Sequence, residues 1–93
     1  MSFLDSLRKR PRASLVLYSK RECPLCDEMK EELARAGLGR SYELTVVDIE
    51  GDRDLEERFG LSIPVLTIDG RVAFKGRLTA SAFQEKFKRL TTR

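Results

Sequence analysis

The sequence predicts an α/β domain of element order β-α-β-α-β-β-α, with a four-stranded mixed sheet and helices on both faces. Three observations carry this. Short apolar runs rich in β-formers alternate with segments of helical periodicity. The opening strand-helix-strand unit requires parallel strands joined by a right-handed crossover. Asp69-Gly70, between two strand-like runs, marks a two-residue hairpin that adds an antiparallel edge. At 93 residues the chain is long enough for one compact domain and too short for two.

Ser14 to Tyr18 reads as a buried strand, a short continuous apolar run. A polar turn, Ser19 to Glu22, leads to Cys23-Pro24-Leu25-Cys26 and a helix ending at Ala36. Leu25, Met29, Leu33 and Ala36 recur at helical spacing among acidic and basic neighbours. Pro24 suits the first helical position, and Gly37 suits the stop.

Tyr42 to Ile49 is the second strand, with Tyr42, Leu44 and Val46 alternating against Glu43 and Thr45. Asp52 to Phe59 is a short helix, capped near Gly51 or Asp52 and stopped by Gly60. Ile63 to Ile68 is the third strand and Val72 to Lys75 the returning one. Thr79 caps a last helix through Leu90, whose apolar face is Ala82, Phe83, Phe87 and Leu90. Lys86, Lys88 and Arg89 complement the negative end of its dipole. There is no internal repeat, low-complexity tract or interdomain linker.

The net charge of +3 is concentrated at one end. Residues 1–13 contain Arg8, Lys9, Arg10 and Arg12 against Asp5, which leaves 14 basic and 14 acidic side chains over residues 14–93. The division is therefore a basic N-terminal arm, 1–13, and a neutral folded domain, 14–93. A short basic arm of this kind reads as a solvated tail, not a nucleic-acid element. Phe3, Leu4 and Leu7 form one apolar face if the arm is helical. No apolar run approaches the roughly 20 residues that span a bilayer. The first 12 residues lack the apolar core of a signal peptide. The expectation is a cytoplasmic monomer without membrane or nucleic-acid partners.

The chain has two cysteines and no histidine. The usual general base and the commonest metal ligand are both missing. Two soft ligands from one chain do not close a four-coordinate zinc site, so no metal is expected. Cys23 stands at the helix N-cap, where unpaired N–H groups and the positive dipole end favour thiolate over thiol. Lys20 and Arg21 add positive charge, and Glu22 partly opposes it. Cys23 and Cys26, three apart, share one helix face within reach of a disulfide. The corresponding roles are Cys23 as attacking thiolate and Cys26 as resolving thiol. The spacing alone also admits half of an intermolecular metal site or two inert core cysteines. The strand just before and the helix just after favour redox use.

These residues resemble a known family. Tyr18-Ser19-Lys20 followed by Cys23-Pro24-Leu25-Cys26 is similar to the start of glutaredoxins, which carry Tyr-Ser/Thr-Lys before Cys-Pro-Tyr-Cys. Ser62-Ile63-Pro64 resembles their Thr-Val-Pro segment, and Asp69-Gly70 matches the hairpin after it. The likeness runs over residues 14–90 in order, and is nearest to small glutaredoxin-like proteins with Cys-Pro-Leu-Cys and an acidic helix. It implies the thioredoxin fold in its glutaredoxin-like form. It also implies a cis peptide before Pro64 beside the active cysteines, and pairing of the Ile63 backbone with a bound peptide or glutathione. The implied substrate-binding set is Lys20, Pro24, Leu25, Ile63, Pro64, Gly76 and Arg77. Partners would be disulfide-containing proteins, with glutathione or a reductase as electron donor and no bound cofactor.

The departures from the family pattern bear on glutathione. Leu25 replaces a tyrosine and removes a hydroxyl. Gly60-Leu61 stands where many glutaredoxins place arginine or glutamine for a glutathione carboxylate. Lys75-Gly76-Arg77-Leu78-Thr79 stands for a Gly-Gly-x-x-Asp-like segment: one glycine survives and no acid follows. Lys20, Ile63 and Pro64 carry over, Gly76 carries over weakly, and Arg77 reads first as a solvated arginine and second as a replacement contact. The altered loop is also similar to the redoxins that serve ribonucleotide reductase and take electrons from thioredoxin reductase.

Two other classes use related features. Small copper chaperones place Cys-x-x-Cys between a first strand and helix. They normally have methionine before it and end on a strand, whereas this chain has Arg21-Glu22 before Cys23 and ends on a helix. An Fe–S cluster bridged between subunits is the related metal reading. A redox-inactive interaction scaffold is the other alternative.

Overall fold

The computed structural model describes residues 12–92. Strand β1 is Ala13–Ser19, helix α1 Pro24–Ala36, and a 3-10 turn follows at Gly39–Ser41. Strand β2 is Tyr42–Asp48, helix α2 Arg53–Phe59, strand β3 Val65–Ile68, strand β4 Arg71–Lys75, and helix α3 Ala80–Thr91. The sheet runs β2-β1-β3-β4. β1 and β2 are parallel, and β3 is antiparallel to both β1 and β4. The expected mixed sheet and element order are those observed. The expected face formed by Phe3, Leu4 and Leu7, and most of the basic arm, lie outside the described residues. Arg12 is held by the fold, donating to the carbonyls of Tyr42 at 2.7 Å and Gly39 at 3.3 Å.

Period-two alternation divides the core into two layers. Leu15 and Leu17 of β1 join Met29 and Leu33 of α1 and Phe83 and Phe87 of α3 on one face. Phe83 is fully buried, with the rings of Phe87, Tyr42 and Phe74 at 5.4, 5.9 and 6.4 Å. On the other face Ile49, Phe59 and Val65 form a smaller cluster with Tyr18, Leu55 and Ile63. Tyr18 stacks on Phe59 of α2 at 4.4 Å. Helices therefore cover both faces, two on one and the short α2 on the other.

Several local expectations shift. β3 begins at Val65, not Ile63, because Pro64 has no N–H for a ladder, and its carbonyl instead accepts the Gly76 N–H at 2.7 Å. β2 ends at Asp48. Ile49 still donates to the Ser19 carbonyl, but its own carbonyl already accepts from Asp52 in the turn that starts α2. Leu44 and Val46 alternate as expected yet stay 38% and 46% exposed. β2 is an edge strand.

The 3-10 turn at Gly39–Ser41 and a bulge in β4 had no signal in the pattern. Leu66 pairs with Phe74 while Thr67 pairs with Val72, leaving Ala73 as the extra residue. Lys86 of α3 donates to the Ala73 carbonyl at 2.9 Å and lies over the Phe74 ring. The hairpin matches its sequence: Asp69 and Gly70 both take positive φ, 49° and 83°, as a type I′ turn requires.

Candidate active site

The register brings the singled-out residues to one end of the sheet. Tyr18 faces Val65, Val65 faces Lys75, and Ser19 faces Asp48. The loop holding Lys20 and Cys23, the Ile63-Pro64 segment, the Gly76-Arg77 turn and the entry to α2 therefore all leave the sheet at the same edge.

Cys23 is the N-cap of α1, with extended backbone, and Pro24 takes the first helical position. The Cys26 N–H donates to the Cys23 sulfur at 3.2 Å, and the Asp27 N–H to the Cys23 carbonyl at 3.2 Å. The two cysteines form a disulfide with Cα atoms 5.2 Å apart, inside the ordinary range. Cys23 is partly exposed, while Cys26 is 2% exposed. An incoming sulfur can therefore reach Cys23 and not Cys26.

Around the pair, Lys20, Pro24 and Arg77 are exposed, Leu25, Ile63 and Gly76 half-buried, and Pro64 buried. The Ile63-Pro64 bond is cis, as the resemblance implies. The Gly76 N–H bond to the Pro64 carbonyl ties the turn after β4 to the segment before β3. Arg77 N–H reaches back to the Lys75 carbonyl at 2.9 Å around Gly76, whose φ of 80° is the left-handed value that a three-residue turn of this hand needs. Leu61, in the loop leading to Ile63, is fully exposed.

Three carboxylates that the sequence reading did not single out organise this end. Glu50 accepts the Arg21 N–H at 3.2 Å, with its guanidinium at 3.8 Å, and so anchors the loop before Cys23. Glu28 lies 3.5 Å from Arg77, linking α1 to the turn after β4. Glu32 accepts the Ala80 N–H at 2.8 Å, linking α1 to the start of α3. Their spacing on α1 put Glu28 and Glu32 on one face, but no local signal named the elements across from them.

Among the described residues no three Cys, Asp or Glu side chains are grouped to hold a metal ion, and no helix is long and apolar enough to cross a membrane. Among the described residues the last element is α3.

Residues 14–88 match the family described as Glutaredoxin-like domain (DUF836). Among solved structures, the chain is similar to the target protein XcR50 from X. campestris, at 33% identity and a TM-score of 0.72 over 81% of this chain and 96% of that one. It is also similar to protein Ne2328 from Nitrosomonas europaea, at 25% identity and a TM-score of 0.69 over 84% and 94%. Chloroplastic thioredoxin z matches at 16% identity with a TM-score of 0.69 over 90% and 82%, a likeness of fold alone. A thioredoxin-type fold with a Cys23–Cys26 pair at its helix N-terminus supports a redox-type role. The chain belongs to the glutaredoxin-like domain family of the thioredoxin superfamily.

Proposed function

We propose that the protein is a dithiol oxidoreductase that reduces disulfides of protein substrates. The observation that carries this reading is the asymmetry of the pair: Cys23 is accessible at the helix N-cap, and Cys26 is buried behind it. The Cys23 thiolate attacks one sulfur of the substrate disulfide, and the other leaves as a thiolate that takes a proton from solvent. Cys26 then loses its proton and attacks the Cys23 sulfur. The mixed disulfide breaks, the Cys23–Cys26 disulfide forms, and the second substrate thiol departs. Two electrons pass from the protein to the substrate.

A reductant must then return two electrons. Glutathione is the weaker candidate, because Leu25 supplies no hydroxyl, no acid follows Gly76, and Arg77 is already beside Glu28. A flavin-dependent thioredoxin reductase is the stronger one. A reducing cytoplasm suits a reductase of this kind, and the neutral body fits a protein working on other proteins without nucleic acid.

The test offers the oxidised protein to thioredoxin reductase or to glutathione with its reductase, and follows NADPH loss with insulin as substrate. Turnover with the first and little with the second is expected. No turnover with either, while the Cys23–Cys26 disulfide is shown to be reducible by dithiothreitol, would sink the reading.

A further inference from the structure

A groove of about 510 Å³ opens between α1 and the segment joining β4 to α3. Leu25, between the two cysteines in sequence, lines it, whereas Cys23, Cys26, Ile63 and Pro64 do not. Its floor is apolar, formed by Leu25, Phe74 and Leu78. Its rim on the α1 side carries Glu28, Glu31 and Glu32, spaced to share one helix face. Arg77 stands opposite, 3.5 Å from Glu28. Glu32 is committed to the Ala80 N–H and to Arg35. Glu31 is exposed on the rim and makes no ion pair among the described residues.

Resting on the dithiol reading above, we infer that this groove selects the substrate: it seats the segment flanking the target disulfide, with an apolar side chain on the floor and a lysine or arginine at Glu31. Charge decides the occupant. The lining carries Glu28, Glu31 and Glu32 against Arg77 alone, and among the described residues Glu31 is the one of these carboxylates with no ion pair; Arg35, which pairs with Glu32, does not line the groove. An anionic flank meets Glu31 directly and gains no vacant cation in the groove. Lys20 and Arg21 carry the opposite charge, but they belong to the loop before Cys23 and do not line the groove.

The experiment uses the reduced full chain as sole electron source, in single turnover, quenched with iodoacetamide and read by mass spectrometry. Three disulfides are compared: neutral 2-hydroxyethyl disulfide, and two cyclic Cys-disulfide peptides of one length whose flanks are Leu-Lys-Lys or Leu-Glu-Glu. The basic peptide should react roughly fivefold faster than the acidic one at low ionic strength, the scale of one or two exposed charge pairs. The gap should narrow in salt of about 0.5 M, where the screening length falls well below 10 Å. Glu31→Lys should remove or reverse the ratio. Equal rates for the two peptides, or a ratio unchanged in Glu31→Lys, would overturn the groove assignment alone. Failure to reduce 2-hydroxyethyl disulfide would overturn the dithiol reading, and the groove assignment with it.

Discussion

Glu32 on α1 accepts the backbone N–H of Ala80, the first residue of α3, at 2.8 Å. The helix that carries the cysteines thus caps the helix that closes the same face. The first N–H groups of a helix have no partner inside it. Thr79 satisfies the Ala82 N–H with its own hydroxyl, and Glu32 supplies the Ala80 bond from a distance of 48 residues. A carboxylate there also meets the positive end of the α3 dipole.

Glu32→Ala should therefore destabilise the fold by about 1.5–3 kcal/mol, the size of a hydrogen bond to a charged group. Glu32→Gln, which keeps an acceptor without the charge, should recover part of this. Urea unfolding midpoints of the two variants against the parent decide it. Equal midpoints for all three would mean that the bond contributes nothing.

The cysteines should differ in reactivity in the order of their exposure. Cys23 has an N–H of α1 aimed at its sulfur, and it stands at the dipole end that favours thiolate. Cys26 is buried. In the reduced protein Cys23 should alkylate first with iodoacetamide, and at lower pH than an ordinary thiol. Cys23→Ser should abolish disulfide reduction, whereas Cys26→Ser should accumulate mixed disulfides with substrate. Equal labelling of both sulfurs at every pH would refute the assignment.

Much of this was legible in the sequence because it is local. Cys23, Asp52 and Thr79 cap the helices they precede, and Asp69-Gly70 turns where it stands, since each depends on neighbours a few residues away. The cysteine pair belongs to the same class. What escaped depends on distant partners. Glu28, Glu32 and Glu50 look like solvated helix or loop acids until the fold sets Arg77, Ala80 and Arg21 before them. The bulge at Ala73 turns its carbonyl to Lys86, a partner that comes from α3. Leu44 and Val46 have a buried strand's alternation, but strand order, which no local pattern encodes, puts them at an edge.

Tyr42 gives the fold a pH dependence on the alkaline side. It is 7% exposed, with Phe83 and Phe87 edge-on to its ring, and burial pushes its phenol above the ordinary 10.0. A raised folded-state value means that the unfolded chain releases this proton first. The neutral phenol's contribution is complete below pH 10.0 and declines as pH rises through the folded value. Tyr42→Phe should flatten stability against pH in that range. Thermal melts of both proteins between about pH 8 and 11 test this, and parallel curves would show that Tyr42 ionises as freely folded as unfolded.

The pairing of Arg77 with Glu28 bears on glutathione. Arg77 is the residue by which this chain would replace a lost carboxylate contact, yet its guanidinium lies 3.5 Å from the Glu28 carboxylate. A glutathione carboxylate must compete with Glu28 for it. Leu25 adds no hydroxyl, and residues 76–79 offer no acid for the γ-glutamyl amine. A missing hydrogen bond to a charged group costs about 1.5–3 kcal/mol, or roughly 10- to 150-fold in affinity at 1.4 kcal/mol per tenfold. In a Cys26→Ser background, oxidised glutathione should modify Cys23 slowly. Adding Glu28→Gln releases Arg77, and the rate should rise roughly two- to fivefold, the worth of an exposed ion pair. Adding Arg77→Ala should give no such rise. Rapid, stoichiometric modification in the Cys26→Ser protein, with NMR shifts spreading through Lys20, Ile63 and Arg77, would instead show that glutathione is a ready ligand and that Glu28 does not hold Arg77 from it.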